Sequence, residues 1–388
     1  MHFIISSFNR KKYSHGVITV TVSLLLLGLS LIGALYTVKT KLLDIRIANS
    51  ELRKNQAVIS AEAGLQRGIA QLDVLPNTTT SLVDETVDNN KYTVDFTTVL
   101  DGSGNTVGHP NWDNDRIVTI TSTGVSDDSS GIKIMEQKVW VHPITRSVPD
   151  SAMTVDGTIE VGGNFRIGAA PNGGGLGVPL SVWTSGSAAD VTGSGDTCGL
   201  EEFDNDECGT FSYSDKTNQG DDIFLDTLVS AGGTFPDDLF EHTFGVPRDD
   251  YQSIKDQANQ IVTDCSSLGA STTGLVWVTG SCDTPSVIGS IAAPVFIVLE
   301  NADLKMNANN IIYGVIYTFD APGSSGGGDV QMNGGAQLFG AFISDHDTGK
   351  VNGTYDLRFS PDVLENIVNG SNAEFMRVEM IPGSWKDF

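Results

Sequence analysis

The chain has 388 residues, enough for two or three domains. It carries 23 Lys plus Arg against 48 Asp plus Glu, a formal net charge of −25, which argues against nucleic acid as a partner because phosphate binding needs clustered cations. Charged residues make up only 18 %, glycine numbers 43, and Thr, Ser, Asn, Asp and Gly dominate the second half; this is the composition of an exported β-rich protein, not of a cytosolic enzyme.

The first element is a long helix. A basic leader (Arg10, Lys11, Lys12) runs into Gly16, and 22 uncharged residues follow, Val17 to Val38. As a helix that run spans roughly 33 Å, enough for a hydrocarbon core. The leader should stay on the cytoplasmic side, so the bulk of the chain is exported. A cleavable secretory signal would have a shorter apolar core ending in a small-x-small site; a plain single-pass anchor satisfies the same physics and stays open. Beyond Lys39 and Lys41 the pattern turns amphipathic. Leu42, Ile45, Ala48, Leu52, Val58, Ala61, Leu65, Ile69 and Leu72 fall near a three-four spacing, interrupted by Asn55. Pro76 and Asn77-Thr78-Thr79-Thr80 close the helix. The rod over residues 17–76 is about 85–90 Å long at 1.5 Å per residue. Gly28, Gly33, Gly64 and Gly68 mark bends or close packing. Such a stripe needs a globular domain or neighbouring helices to cover it, as in a subunit drawn from a membrane into a filament.

Residues 77–147 read as an antiparallel meander. Lys91–Leu100, Arg116–Gly124 and Gly131–Val141 carry period-two apolar positions, separated by turn-rich Asp101–Asn105 and Ser126–Gly131. The expected fold class is therefore α+β, with the long helix packed on the meander.

Residues 148–388 read as a second β-rich domain. Leu304–Tyr317 matches Val330–Ile343 at an offset of 26, and Ile159–Ile167 is a weaker copy. Short strands broken by Asn and Gly turns at that period suggest the rungs of a small parallel β-helix; a β-sandwich is the alternative. Residues 196–282 have few repeat features and read as an insertion, with helical pieces at Phe235–Phe244 and Asp250–Val262.

The insertion holds all four cysteines, Cys198, Cys208, Cys265 and Cys282. An even count in an exported region reads as two disulfides. Three pairings are possible, of which the sequential one closes the shortest loops. Asp204, Asp206, Glu207, Asp221 and Asp222 cluster near the first pair, and Asp101, Ser103 and Asn105 form an oxygen-rich loop. Asp204 and Asp206 are the candidate ligands should calcium bind, although no segment fits a full twelve-residue calcium loop. No cofactor is expected. Asp345-His346-Asp347 follows a strand end and is the sharpest catalytic candidate, as a carboxylate pair acting on polysaccharide. With no nucleophile motif and no phosphate loop, the expectation is a non-enzyme, and solvated acidic loops are the plainer reading.

Residues 10–75 resemble a known family. His15-Gly16-Val17-Ile18, the Leu-rich run, Arg46-Ile47-Ala48-Asn49 and Ser60-Ala61-Glu62-Ala63-Gly64-Leu65 look like the N-terminus of PilX-type minor pilins of type IV pili. The resemblance implies processing between Gly16 and Val17 by a prepilin peptidase and methylation of the new N-terminus. It implies an inner-membrane anchor with a periplasmic domain, later a place in the pilus, in a Gram-negative bacterium. Implied partners are other minor and major pilins, the inner-membrane assembly platform and a tip adhesin, and the implied role is priming of assembly at or near the tip. One departure stands out. Major pilins usually carry a glutamate at the fifth mature position, and Thr21 stands there. K-type pseudopilins of type II secretion share that departure and remain an alternative, as does an anchored β-helix adhesin or polysaccharide-active protein.

Overall fold

The computed structural model describes residues 15–87, 89–108, 112, 114–173, 177–186, 189–324, 328–351, 353–368 and 373–388. The leader cations lie outside the described residues. Helix α1 (His15–Val74) is unbroken for 60 residues. No proline interrupts it, and it ends just before Pro76, whose carbonyl accepts a hydrogen bond from Arg116 Nη2 at 2.5 Å. Arg116 also reaches Asn77 Oδ1 at 2.7 Å, tying the helix end to the sheet.

Strands β1 (Leu82–Val87), β2 (Asn90–Thr98), β3 (Arg116–Val125) and β4 (Ile132–Pro143) form the antiparallel meander, in that order. Their inner faces alternate as a half-buried sheet requires. Tyr92, Val94 and Phe96, Val118 and Ile120, and Met135, Val139 and Val141 point at α1. They meet Ala61, Leu65 and Leu72 from the helix. Glycines permit the close approach. A Cβ on Gly124 would strike the backbone of Ala57 and Ala61, and one on Gly68 would sit 2.7 Å from Ile120 Cγ2.

The second body begins with β5 (Met153–Val155), β6 (Ile159–Val161), β7 (Asn164–Gly168), β8 (Val182–Thr184), β9 (Ala189–Val191) and β10 (Asp196–Cys198). Helix α2 (Leu200–Asp204), β11 (Ile223–Leu225), α3 (Leu239–Phe244), α4 (Tyr251–Lys255) and β12 (Gln260–Val262) follow. The strand at Gln260–Val262 departs from the helical expectation, which ran through to Val262. Then come β13 (Gly274–Val278), β14 (Cys282–Asp283), β15 (Val287–Ile288), β16 (Val295–Glu300), β17 (Leu304–Met306), β18 (Ile311–Phe319), β19 (Val330–Met332), β20 (Ala336–Ser344), β21 (Gly349–Val351) and β22 (Thr354–Arg358).

The named strands of this body pair in parallel. The sequence offset of 26 is also the structural register: Leu304 faces Val330 and Ile311 faces Gln337. The weak copy takes a place in the same stack, with β6 on β21 and β7 on β22. Strand β20 pairs with β18 along one edge and is shared by two strands along the other. Its first half pairs with β22 and its second half with β5. Gly340 stands between the halves at φ +147° and faces Gly314 at φ +153°, a backbone that side chains rarely adopt. The interior is one continuous apolar cluster, including Trp277, Phe296, Phe319, Phe342 and Tyr355.

After α5 (Pro361–Val368) the chain returns to the first sheet. Strands β23 (Met376–Met380) and β24 (Lys386–Asp387) both pair with β4. The expected boundary of 148–388 for the second domain therefore needs correcting: residues 376–387 belong to the helix-backed sheet, and the second body is inserted between β4 and β23.

Candidate functional site

The feature with the clearest functional content is α1 itself. The sheet covers it only from Ala57 onward; Ala57, Ala61 and Leu72 are 0 % exposed. Toward the N-terminus the apolar side chains stand free, with Leu24 at 66 %, Leu35 at 62 % and Leu52 at 58 %. Free apolar surface on this scale requires lipid or protein around it. α1 is one helix long and apolar enough to cross a membrane. The predicted stripe thus divides. Ala61, Leu65 and Leu72 are spent on the chain's own sheet, whereas Leu42, Ile45 and Leu52 are left for something else. Gly64 and Gly68 mark close packing, and Gly28 and Gly33 have open space around them. Gly16 and Val17 lie in the first turns of α1, and Thr21 lies on its exposed stretch.

The cysteines form two bridges, Cys198–Cys208 and Cys265–Cys282. Asp204 and Asp206, the candidate calcium ligands, face arginines instead. Arg358 grips Asp204 through Nε and Nη2, each at 2.7 Å, and this hydrogen bonding holds the Asp204 carboxyl below the usual range. Arg166 contacts Asp206 and also holds Asp356 at 2.8 and 2.7 Å. These pairs bind α2 and its disulfide loop to β7 and β22. Asp222 is buried and accepts hydrogen bonds from Thr197 Oγ1 at 2.6 Å and Ser214 Oγ at 2.5 Å. Asp101 accepts the backbone N–H groups of Ser103 and Asn105, so that loop satisfies its own oxygens. Among the described residues no group of three or more His, Cys, Asp or Glu is placed to hold a metal.

The two carboxylates of Asp345-His346-Asp347 take different partners. Asp345 is 4 % exposed, 3.6 Å from Arg248 Nη2, and accepts the Asp320 N–H at 3.0 Å. Burial pushes its carboxyl up to about 7, against the opposing pull of Arg248. Asp347 instead accepts the N–H and hydroxyl of Thr158 at 2.6 and 2.9 Å. Trp183 and Trp277 are core residues, and Trp385 is 51 % exposed.

Comparisons with known proteins add little. No family model matches the chain, and no curated protein matches it. Among solved structures, the competence-associated pilin ComZ from Thermus thermophilus aligns over 87 % of this chain and 97 % of its own, at 13 % identity and a TM-score of 0.25. A likeness that loose establishes neither a shared fold nor a shared role.

Sequence reasoning missed the arginine partners of the acidic cluster and the return of the C-terminus. Met376-Arg377-Val378-Glu379-Met380 alternates with period two and was a usable signal for a strand there, though not for its partner.

Proposed function

We propose that this chain is a PilX-like minor pilin, anchored by α1 in the inner membrane and later packed by the same helix into a type IV pilus. The observation that carries the reading is the division of α1. Its C-terminal part, from Ala57, is fixed to its own sheet, and the longer N-terminal part is uncovered and begins with an apolar run. In the membrane lipid would cover that run; in a fibre the helices of neighbouring subunits would. The head is large and acidic, which fits a place at or near the tip better than repeated insertion along the shaft. Its function is assembly with other pilins after leader cleavage, not catalysis, and it needs no cofactor. Thr21 in place of a glutamate supports a subunit that makes no charge contact with the N-terminus of the one ahead, since an unpaired carboxylate in lipid is costly.

The parallel ladders support reading the second body as a small β-helix with the 26-residue repeat as one rung. That favours a second reading, a signal-anchored surface adhesin. The mature N-terminus separates the two. Mass spectrometry of membrane and sheared-fibre fractions should find N-methylated Val17 in the fibres. An intact Met1 would leave an anchored surface protein and remove the pilin reading.

A further inference from the structure

A groove of about 620 Å³ opens where α1 leaves the sheet. Arg46, Asn49, Ser50 and Arg53 line it from one helix face, at i, i+3, i+4 and i+7, with Lys54 beside them. The β3–β4 turn forms the other wall through Ser130, Gly131 and Ile132. Arg53 is held to Asp128 at 2.8 Å, which sets the turn against the helix. Arg46 and Lys54 are exposed and make no ion pair among the described residues.

The charge around this groove is opposite to that of residues 76–388. Residues 39–54 carry five cations and two anions, whereas residues 76–388 carry 14 cations and 44 anions. Lipid phosphate is the first occupant to consider, and height argues against it. The headgroup layer extends only about 5–7 Å beyond the hydrocarbon. If the hydrocarbon ends at Val38, Lys39 and Lys41 stand in that layer, but Arg46 lies about 12 Å and Arg53 about 22 Å beyond it at 1.5 Å per residue. A carboxylate carried by protein reaches that height. Exposed Ile45 and Leu52 flank the cations on the same turns, so whatever covers the apolar stripe also stands at the groove.

We infer that this groove receives a carboxylate-rich segment from the head of a neighbouring subunit. The inference rests on the filament reading above. Heads of strong like charge repel, and a local cationic seat fixes which part of one head approaches the next helix.

The test uses the full chain in nanodiscs of neutral phosphatidylcholine. The probe is a fluorescein-labelled peptide copying Glu201–Glu207. Saturable binding is expected, weakening at least about tenfold between roughly 50 and 300 mM salt. R46E/K54E should lose at least about tenfold, whereas K216E/K305E, reversing exposed cations elsewhere, should bind like the wild type. No binding by the wild type, or equal binding by R46E/K54E, would overturn the inference. So would R46E/K54E losing attachment to phosphatidylglycerol vesicles while keeping the peptide, which would make the groove a lipid seat. Peptide binding does not depend on leader cleavage. An intact Met1 with a functional groove would therefore sink the filament reading alone.

Discussion

At Asp345 burial outweighs a nearby guanidinium. The carboxyl titrates near 7 in the fold against an ordinary value of 3.8. Below pH 3.8 folded and unfolded chains are both protonated there, and the group adds no pH dependence. Between about 4 and 7 the unfolded chain ionises first, so stability falls as pH rises; above 7 the loss is complete. Relative to Asp345→Asn, the wild type should lose on the order of 4 kcal/mol across that window. A pH series of thermal unfolding on both proteins checks this, and parallel curves would show that Arg248 compensates the charge fully. Gly124 makes a different residue-scale prediction. Gly124→Val places a side chain against the Ala57 and Ala61 backbone, which no rotamer change relieves. A loss of about 1–3 kcal/mol or more is expected by denaturant titration, as for other overpacked sites. An unchanged midpoint would mean that the helix lifts from the sheet at no cost.

Among the elements, α1 and the 26-residue repeat were legible because their signals are local. Apolar spacing, the absence of proline and the stop at Pro76 define the helix without reference to anything distant. The repeat marks register directly, since Met306 faces Met332 in space as it does in the sequence alignment. The arginine partners of the acidic cluster were not legible, for the opposite reason. Asp204 and Asp206 lie close in sequence, but their arginines are 154 and 40 residues away, and no local pattern announces such pairs. The α2 loop is consequently held twice, by its disulfide and by Arg358 and Arg166. Cys198→Ser/Cys208→Ser should cost about 3 kcal/mol by loop-closure entropy. The loop should nevertheless stay docked, because the ion pairs remain. Hydrogen exchange at residues 199–208 reads this; full loss of protection would show that the arginines contribute no docking.

For the whole molecule, charge and connectivity matter most. Residues 76–388 hold 44 acids against 14 bases, so the head repels itself. Raising salt from about 20 to 500 mM should therefore raise its thermal midpoint as screening shortens the reach of that repulsion. A flat or falling midpoint would mean that the arginine–aspartate pairs dominate instead. The pairing of β23 with β4 was not legible as topology, because Met376 meets Pro143 across the whole inserted body. Local alternation marks a strand, but it carries no information about a partner more than two hundred residues distant, whose pairing must close a long loop.

Connectivity of this kind has a mechanical consequence. The inserted body leaves from the end of β4 and returns at β23, and those two strands are hydrogen-bonded neighbours with Met376 opposite Pro143. Its entry and exit are thus separated by about one strand spacing. In the filament proposed above, tension would run along α1 and the helices of its neighbours. The inserted body, clipped at its base, would lie beside that line of force, so that pulling the fibre would load the helix before the parallel ladders.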